Sequence, residues 1–203
     1  PKIGRKLPEI LSPEEIDLMI NSIDLSKPEG HRNRAILEVL YSCGLRVSEL
    51  IDLKLSEIFL DKAYLKVNGK GNKQRLVPVG GRAVKEIRNY LPDRQSLNFI
   101  DKSSEDILFL NRRGKKLTRV MIFTIIKQLS EKARLNKSVS PHTFRHSFAS
   151  HLVEGGADLR AVQEMLGHES ILTTEIYTHL DREYLRETIL QFHPRSNQHY
   201  ARG

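Results

Sequence analysis

The sequence predicts a mainly α-helical α+β domain with one small antiparallel β-sheet set early in the chain. Three observations lead there. Most segments repeat apolar residues every three or four positions behind recognisable helix starts. Two short stretches, "AYLKVN" and "QRLVPV", instead alternate apolar and polar residues around the Gly-rich link "GKGNK". The 203 residues, 39% of them hydrophobic, suffice for one sizeable core or two small ones, and no internal repeat or low-complexity tract suggests another architecture.

In order along the chain, residues 1–11 are basic, carry Pro1 and Pro8, and read as a linker. In "SPEEI", Ser12 is the N-cap, Pro13 the first helical residue and Glu15 the partner in a capping box, so a helix runs to about Ile23. "HRNRAILEVLYSCG" is a second helix, with Ile36, Leu37 and Leu40 on one face and Gly44 as a left-handed stop. "VSELIDL" makes a short third. The two alternating stretches follow as strands, with Lys70 and Lys73 on the loop between them and Pro78 marking an edge strand or its end. Helix returns at 81–91. "ILFL" is a short apolar segment before the basic turn "NRRGKK", and Thr118 starts an amphipathic helix over 118–134. "SPHTFRHSFASHLVEGG" begins a helix at Ser140–Pro141 and ends it at Gly155–Gly156. "DLRAVQEMLG" is capped by Asp158 and ended by Gly167, "TTEIYTHL" is a short helix, and the last helix, about 182–192, carries Leu185, Ile189 and Phe192 on one stripe.

Composition narrows the function. A net charge of +8 and a pI near 9.6 favour a polyanionic partner, nucleic acid ahead of a membrane surface, with a plainly basic surface as the ordinary alternative. No apolar run approaches the roughly 20 residues of a bilayer span, and the N-terminus lacks the apolar stretch of a signal peptide. The single cysteine, Cys43, excludes a disulfide framework and a Cys-rich zinc site. A reducing, cytoplasmic setting fits.

Several polar residues do not suit a core. Arg46 follows Gly44 at a helix break, Lys70 sits on a hairpin tip, and His142 and Arg145 are three apart on one helical face. His168 directly follows Gly167, and Tyr177 comes nine residues later. Each has an ordinary alternative: a surface arginine at a helix start, a solvated loop lysine, an exposed first-turn histidine, an Arg145 paired with Glu49, a histidine closing a helix C-terminus, a half-buried tyrosine. His142 and His146 have the spacing of a zinc-binding H-E-x-x-H helix, but "HTFRH" places Thr where the acid belongs and Arg145 beside the ion. No G-x-S-x-G elbow supports a serine hydrolase. Taken together, two arginines, a lysine, two histidines and a tyrosine suit in-line attack on a phosphodiester without metal. Guanidinium groups pair with the non-bridging oxygens, tyrosine attacks, histidines donate hydrogen bonds or accept the phenolic proton, and lysine protonates the leaving oxygen.

At these residues the chain resembles a family. "YSCGLRVSELIDL", "NGKGNKQRLVPV", "SPHTFRHSFASHLVEGGADLRAVQEMLGHESILTTEIYTH" and the closing "HPR" resemble the tyrosine recombinases (the phage integrase family), and among them the Xer type, over residues 8–195. The resemblance implies the tyrosine recombinase catalytic-domain fold over 12–195, a C-terminal tail at 196–203, and residues 1–11 as the linker from an N-terminal, DNA-clamping domain of about a hundred residues. It further implies that Arg46 and Arg145 are the two catalytic arginines and His142 and His168 the two catalytic histidines, with His142 and Arg145 facing the scissile phosphate, that Lys70 is the general acid toward the 5′ oxygen, that Tyr177 is the nucleophile, and that Glu49 and His146 support them from behind. His151, on another helix face, reads as structural. The implied reaction passes through a 3′-phosphotyrosyl bond with no cofactor, neither ATP nor metal. The implied partners are a double-stranded DNA site, further protomers in a tetramer, and a DNA translocase. Chromosome dimer resolution is the function this favours. Integration of a phage or mobile element, DNA binding without cleavage, and type IB topoisomerase action are the competing readings. The last-helix stripe docks either on its own domain or on a neighbouring protomer. Lys115, Lys116 and Arg119 form either a groove-facing or a solvated turn.

Overall fold

The capping box read in "SPEEI" forms. Ser12 accepts from the Glu15 amide at 3.1 Å, and Glu15 accepts from the Ser12 amide at 3.0 Å, opening α1 (Pro13–Asn21). The computed structural model describes residues 9–167 and 179–197. Next comes α2 (Gly30–Cys43), in which every residue from Ala35 to Cys43 is buried, Glu38 and Ser42 included. A helix buried on all sides must have neighbours on all sides. It packs chiefly against α4 (Gly81–Gln95) and α6 (Pro141–Glu154).

Gly44 ends α2 in the left-handed region at φ 63°, its N–H donating to Leu40 O at 3.0 Å. A Cβ there would stand 2.4 Å from the Phe148 ring, so neither the backbone nor the space admits a larger residue. Arg46 is extended, and α3 (Val47–Ile51) starts immediately after it.

The sheet has the order β1-β2-β3, all antiparallel: β1 (Ile58–Phe59), β2 (Tyr64–Asn68) and β3 (Gln74–Pro78). The register pairs Leu65 with Val77 and Val67 with Arg75. Pro78 is the last residue of an edge strand, where its missing N–H interrupts no ladder. The two-residue β1 was not predicted, because two residues carry no periodicity. The predicted end of α4 at 91 also fell short. The helix continues through Pro92 to Gln95 because the buried Arg94 guanidinium anchors the last turn, donating to Glu105 O at 2.8 Å and Ile107 O at 2.7 Å.

The remaining helices are α5 (Arg119–Lys132), capped by Thr118, α7 (Leu159–Leu166), α8 (His179–Phe192) and α9 (Pro194–Asn197). The short helix predicted over 173–180 lies outside the described residues as far as 178.

Two apolar clusters result. The larger joins α1 to α5, the sheet and Phe144 of α6. The smaller gathers Phe148, Leu152, Ala157, Val162, Met165 and Leu166 with Leu185 and Ile189 of α8. The stripe on the last helix is therefore buried on its own domain, each of its two fully covered side chains contributing about 2 kcal/mol. A clasp completes this docking. His193 Nε2 lies 3.3 Å from Tyr41 O, and Arg195 reaches Asp17 and, at 3.4 Å, Glu38. The closing "HPR" thus ties α8 and α9 back to α1 and α2. Burial pushes the Glu38 carboxyl up to about 7 and the His193 imidazole down to about 4. At the other end, Leu11 is fully buried and its amide donates to Ser147 Oγ at 3.0 Å. Cys43 is buried, and burial pushes its thiol up to about 12. Among the described residues no helix is long and apolar enough to cross a membrane.

Gly44→Ala is expected to cost about 2 kcal/mol or more, from positive φ and overpacking against Phe148. Chemical denaturation at neutral pH reads this as a lowered midpoint.

Candidate functional site

The site grows from the seam between the two clusters. α6 sends Phe144 into the larger cluster and Phe148 into the smaller, and Arg145 lies between them. Its two terminal nitrogens donate to the carbonyls that close the flanking helices: Nη1 to Gly44 O at 2.7 Å and Nη2 to Leu166 O at 2.8 Å. Both acceptors exist because a left-handed glycine or its neighbour ends each helix, leaving its last carbonyls unpaired.

At the centre is Glu49, whose side chain is 2% exposed. It caps its own short helix, Oε1 accepting from the Arg46 amide at 2.8 Å. Both its oxygens then take Arg75, Nη2 donating to Oε1 at 2.9 Å and Nη1 to Oε2. Arg145 Nη1 lies 4.0 Å from Oε1, and Arg46 Nη1 lies 3.8 Å from Oε2. Three guanidinium groups surround one carboxylate, leaving an excess of two positive charges. Burial alone would raise the Glu49 carboxyl. The hydrogen bonds and charge of Arg75, then the amide and guanidinium of Arg46, hold it below the ordinary carboxylate range. Arg145 is lowered to about 10, first by burial and then by the repulsion of Arg46, with Glu49 opposing. It stays a cation at neutral pH, crowded by others. An anion at this place relieves that crowding.

The predicted residues divide clearly. The structure brings Arg46 and Arg145 together around Glu49, with Arg46 the more open at 38% side-chain exposure. His142 is exposed in the first turn of α6, one turn before Arg145, where unpaired amides and the helix dipole favour an anion. Lys70 is exposed at the hairpin tip, in a single 3₁₀ turn, Lys70–Asn72. His168 and Tyr177 lie outside the described residues.

One supporting role is revised. His146 is exposed and does not back the site. In the basic turn, Lys116 forms an ion pair with Asp52 at the end of α3, and Lys115, Lys116 and Arg119 are all exposed. His151 is structural as read, its Nδ1 2.7 Å from the Tyr41 hydroxyl. Among the described residues no group of three or more His, Cys, Asp or Glu side chains is placed to hold a metal ion.

Arg75 was missed. Its side chain is 6% exposed, and besides Glu49 it holds Met165 O through Nε at 3.0 Å. The signal was its phase. In β3 the inward positions are Arg75 and Val77, so "QRLVPV" places a guanidinium where the alternation calls for an apolar side chain. An inward arginine needs a buried acid.

Comparison with known proteins places this geometry. The family model described as phage integrase family matches residues 9–183. The tyrosine recombinase XerD of Staphylococcus haemolyticus is 46% identical over 196 residues, 97% of this chain and 66% of that protein. The XerD of Staphylococcus aureus strain Mu50 is 45% identical over the same extent. The chain thus spans a little under two thirds of the length of these curated relatives. Among solved structures, the XerA recombinase superposes with a TM-score of 0.72 at 36% identity, over 93% of this chain and 66% of that one. The XerH site-specific recombinase bound to palindromic difH substrate, a post-cleavage complex, gives 0.72 at 31% identity, over 93% of this chain and 54% of that one.

Glu49→Gln keeps the shape and removes the charge that balances the guanidinium groups, at an expected cost of about 3 kcal/mol or more at pH 7. Because the folded carboxyl is held below its ordinary value, its stabilisation is complete above pH 4.5 and fades as pH falls through the folded value. Denaturation midpoints of the two proteins are therefore expected to converge as pH falls through the folded value of that carboxyl.

Proposed function

Because this chain belongs to the phage integrase family of tyrosine recombinases, we propose that it is the catalytic region of a Xer-type site-specific recombinase. The observation that carries the reading is the charge of the site. A phosphodiester has one negative charge, and attack by a phenolate makes it two. The Glu49 cluster offers two in excess of balance. Those cations are held in place by the fold beforehand, so little reorganisation accompanies the reaction.

The roles follow from position. Arg46, with open donors, and Arg145, with N–H groups beyond those on Gly44 O and Leu166 O, take the non-bridging oxygens. His142 adds a donor at the α6 N-terminus. Tyr177 forms the bond to phosphorus, its proton passing to His168. The P–O5′ bond breaks, and O5′ takes a proton from Lys70. The 3′-phosphotyrosyl link keeps the energy of the broken bond, and a 5′-hydroxyl of a partner strand reverses the step. The partners are double-stranded DNA and further protomers. Identity of 45–46% with XerD proteins favours chromosome dimer resolution over integration of a mobile element.

A nicked duplex that traps the covalent intermediate tests this on a denaturing gel without added metal. Wild type is expected to give a slow-migrating adduct, Tyr177→Phe none, and Arg145→Ala a rate lower by about 100-fold or more. An adduct that persists in Tyr177→Phe assigns the nucleophile elsewhere and overturns the scheme.

A further inference from the structure

Lys70 occupies a place that its own segment does not fix. It lies between Gly69 and Gly71, the latter at φ 72°, and Asn72 follows at φ 58°. The side chain is exposed. A general acid has to meet the leaving oxygen within hydrogen-bond reach. Something must therefore locate the base of this hairpin.

Arg75 is placed to do so. It belongs to β3, paired with Val67, and one pair further on Asn68 faces Gln74 before the turn closes through Gly69 N–H to Lys73 O at 2.7 Å. A Cβ built on Gly69 would stand 3.4 Å from Arg75 Nη1 and 3.4 Å from Glu49 Oε2. The residue before Lys70 therefore rests on the Arg75–Glu49 pair. The guanidinium also holds Met165 O, and a Cβ on Gly167 would meet its Nη1 at 3.0 Å. One buried fork thus joins the hairpin, the start of α3 and the end of α7.

We propose that Arg75 is the positioning residue for Lys70: it seats the hairpin on Glu49 so that the lysine ammonium reaches the leaving 5′ oxygen. This deepens the recombinase reading and rests on it. In the step concerned, Tyr177 oxygen bonds to phosphorus and gives its proton to His168. The P–O5′ bond breaks with its electron pair on O5′, and O5′ takes a proton from Lys70, which becomes a neutral amine. If sulfur replaces O5′, the electron pair leaves on a thiolate. Thiols ionise near pH 8.5, so that departure needs no acid.

The test compares two nicked duplexes that differ only in oxygen or sulfur at the 5′ bridging position. Their site is the sequence that wild type captures covalently from a pool of nicked duplexes with randomised flanks. Arg75→Met is expected to slow adduct formation on the oxygen substrate by about 100-fold or more, yet on the sulfur substrate by less than about tenfold, as Lys70→Ala does. Arg145→Ala is expected to be slow on both. Arg75→Lys keeps the charge without the fork and is expected to fall between wild type and Arg75→Met, with the same preference for sulfur. If Arg75→Met does not fold, as a thermal melt shows, that preference in Arg75→Lys decides alone. Equal slowing on both substrates, or none on either, overturns the assignment, because a residue that only stabilises the fold or the phosphate pocket does not distinguish the leaving group. A wild type that captures no member of the pool contradicts the recombinase reading itself, a result separate from any ratio between substrates.

Discussion

The Glu49 carboxylate, buried and enclosed by Arg46, Arg75 and Arg145, is the constraint on which the rest of the site depends. A carboxylate this far from water is costly unless it is paired and hydrogen-bonded, and a buried guanidinium is costly for the same reason. Each element near the seam answers one part of that requirement. The left-handed stop at Gly44 turns the chain so that Arg46 and Glu49 stand at the head of α3. The register of β3 points Arg75 inward, and α6 lays Arg145 across the ends of α2 and α7. The outcome is a positive site that is rigid because it is partly compensated. Without Glu49 the three cations would repel one another apart. With a second acid in place the excess would fall from two charges to one, short of the two that the attacked phosphate carries.

The two-cluster core explains why this site lies where it does. The larger cluster carries Arg46, Glu49 and the hairpin, and the smaller carries the end of α7 and the docked α8. Arg145 and Arg75 each bridge the two, through Leu166 O and Met165 O. α8 packs against β3 and is held at its far end by the His193–Arg195 clasp. The seam is therefore crosslinked by polar contacts on one side and closed by apolar ones on the other. A geometry that must hold a reacting phosphorus within a fraction of an ångström is served by that arrangement.

Much of this was legible in the sequence, and the exceptions share a cause. Caps, glycine stops and apolar periods located the long helices to within a few residues, because those signals are local. Arg46, Glu49 and Arg145 stood out by motif and spacing. Arg75 did not, since a single charged residue in a strand is ordinary until its inward phase and its distant acid are known together. The extension of α4 past Pro92 depends on Arg94 meeting carbonyls near Ile107, and β1 exists only because β2 lies beside it. His146 misled for a different reason: the family resemblance of its motif lent it a supporting role, whereas the helix turns it outward. His168 and Tyr177 rest on the family resemblance of their motifs.

The most direct test is a crystal structure of the protein with an uncleaved duplex bearing its recombination site. Arg46 and Arg145 are expected within hydrogen-bond distance of the non-bridging oxygens of the scissile phosphate, while Arg75 keeps both its bonds to Glu49 and its bond to Met165 O. A phosphate that draws Arg75 away from Glu49, or that lies away from the Arg46–Arg145 pair, would contradict the assignment of one carboxylate as organiser and two guanidinium groups as ligands.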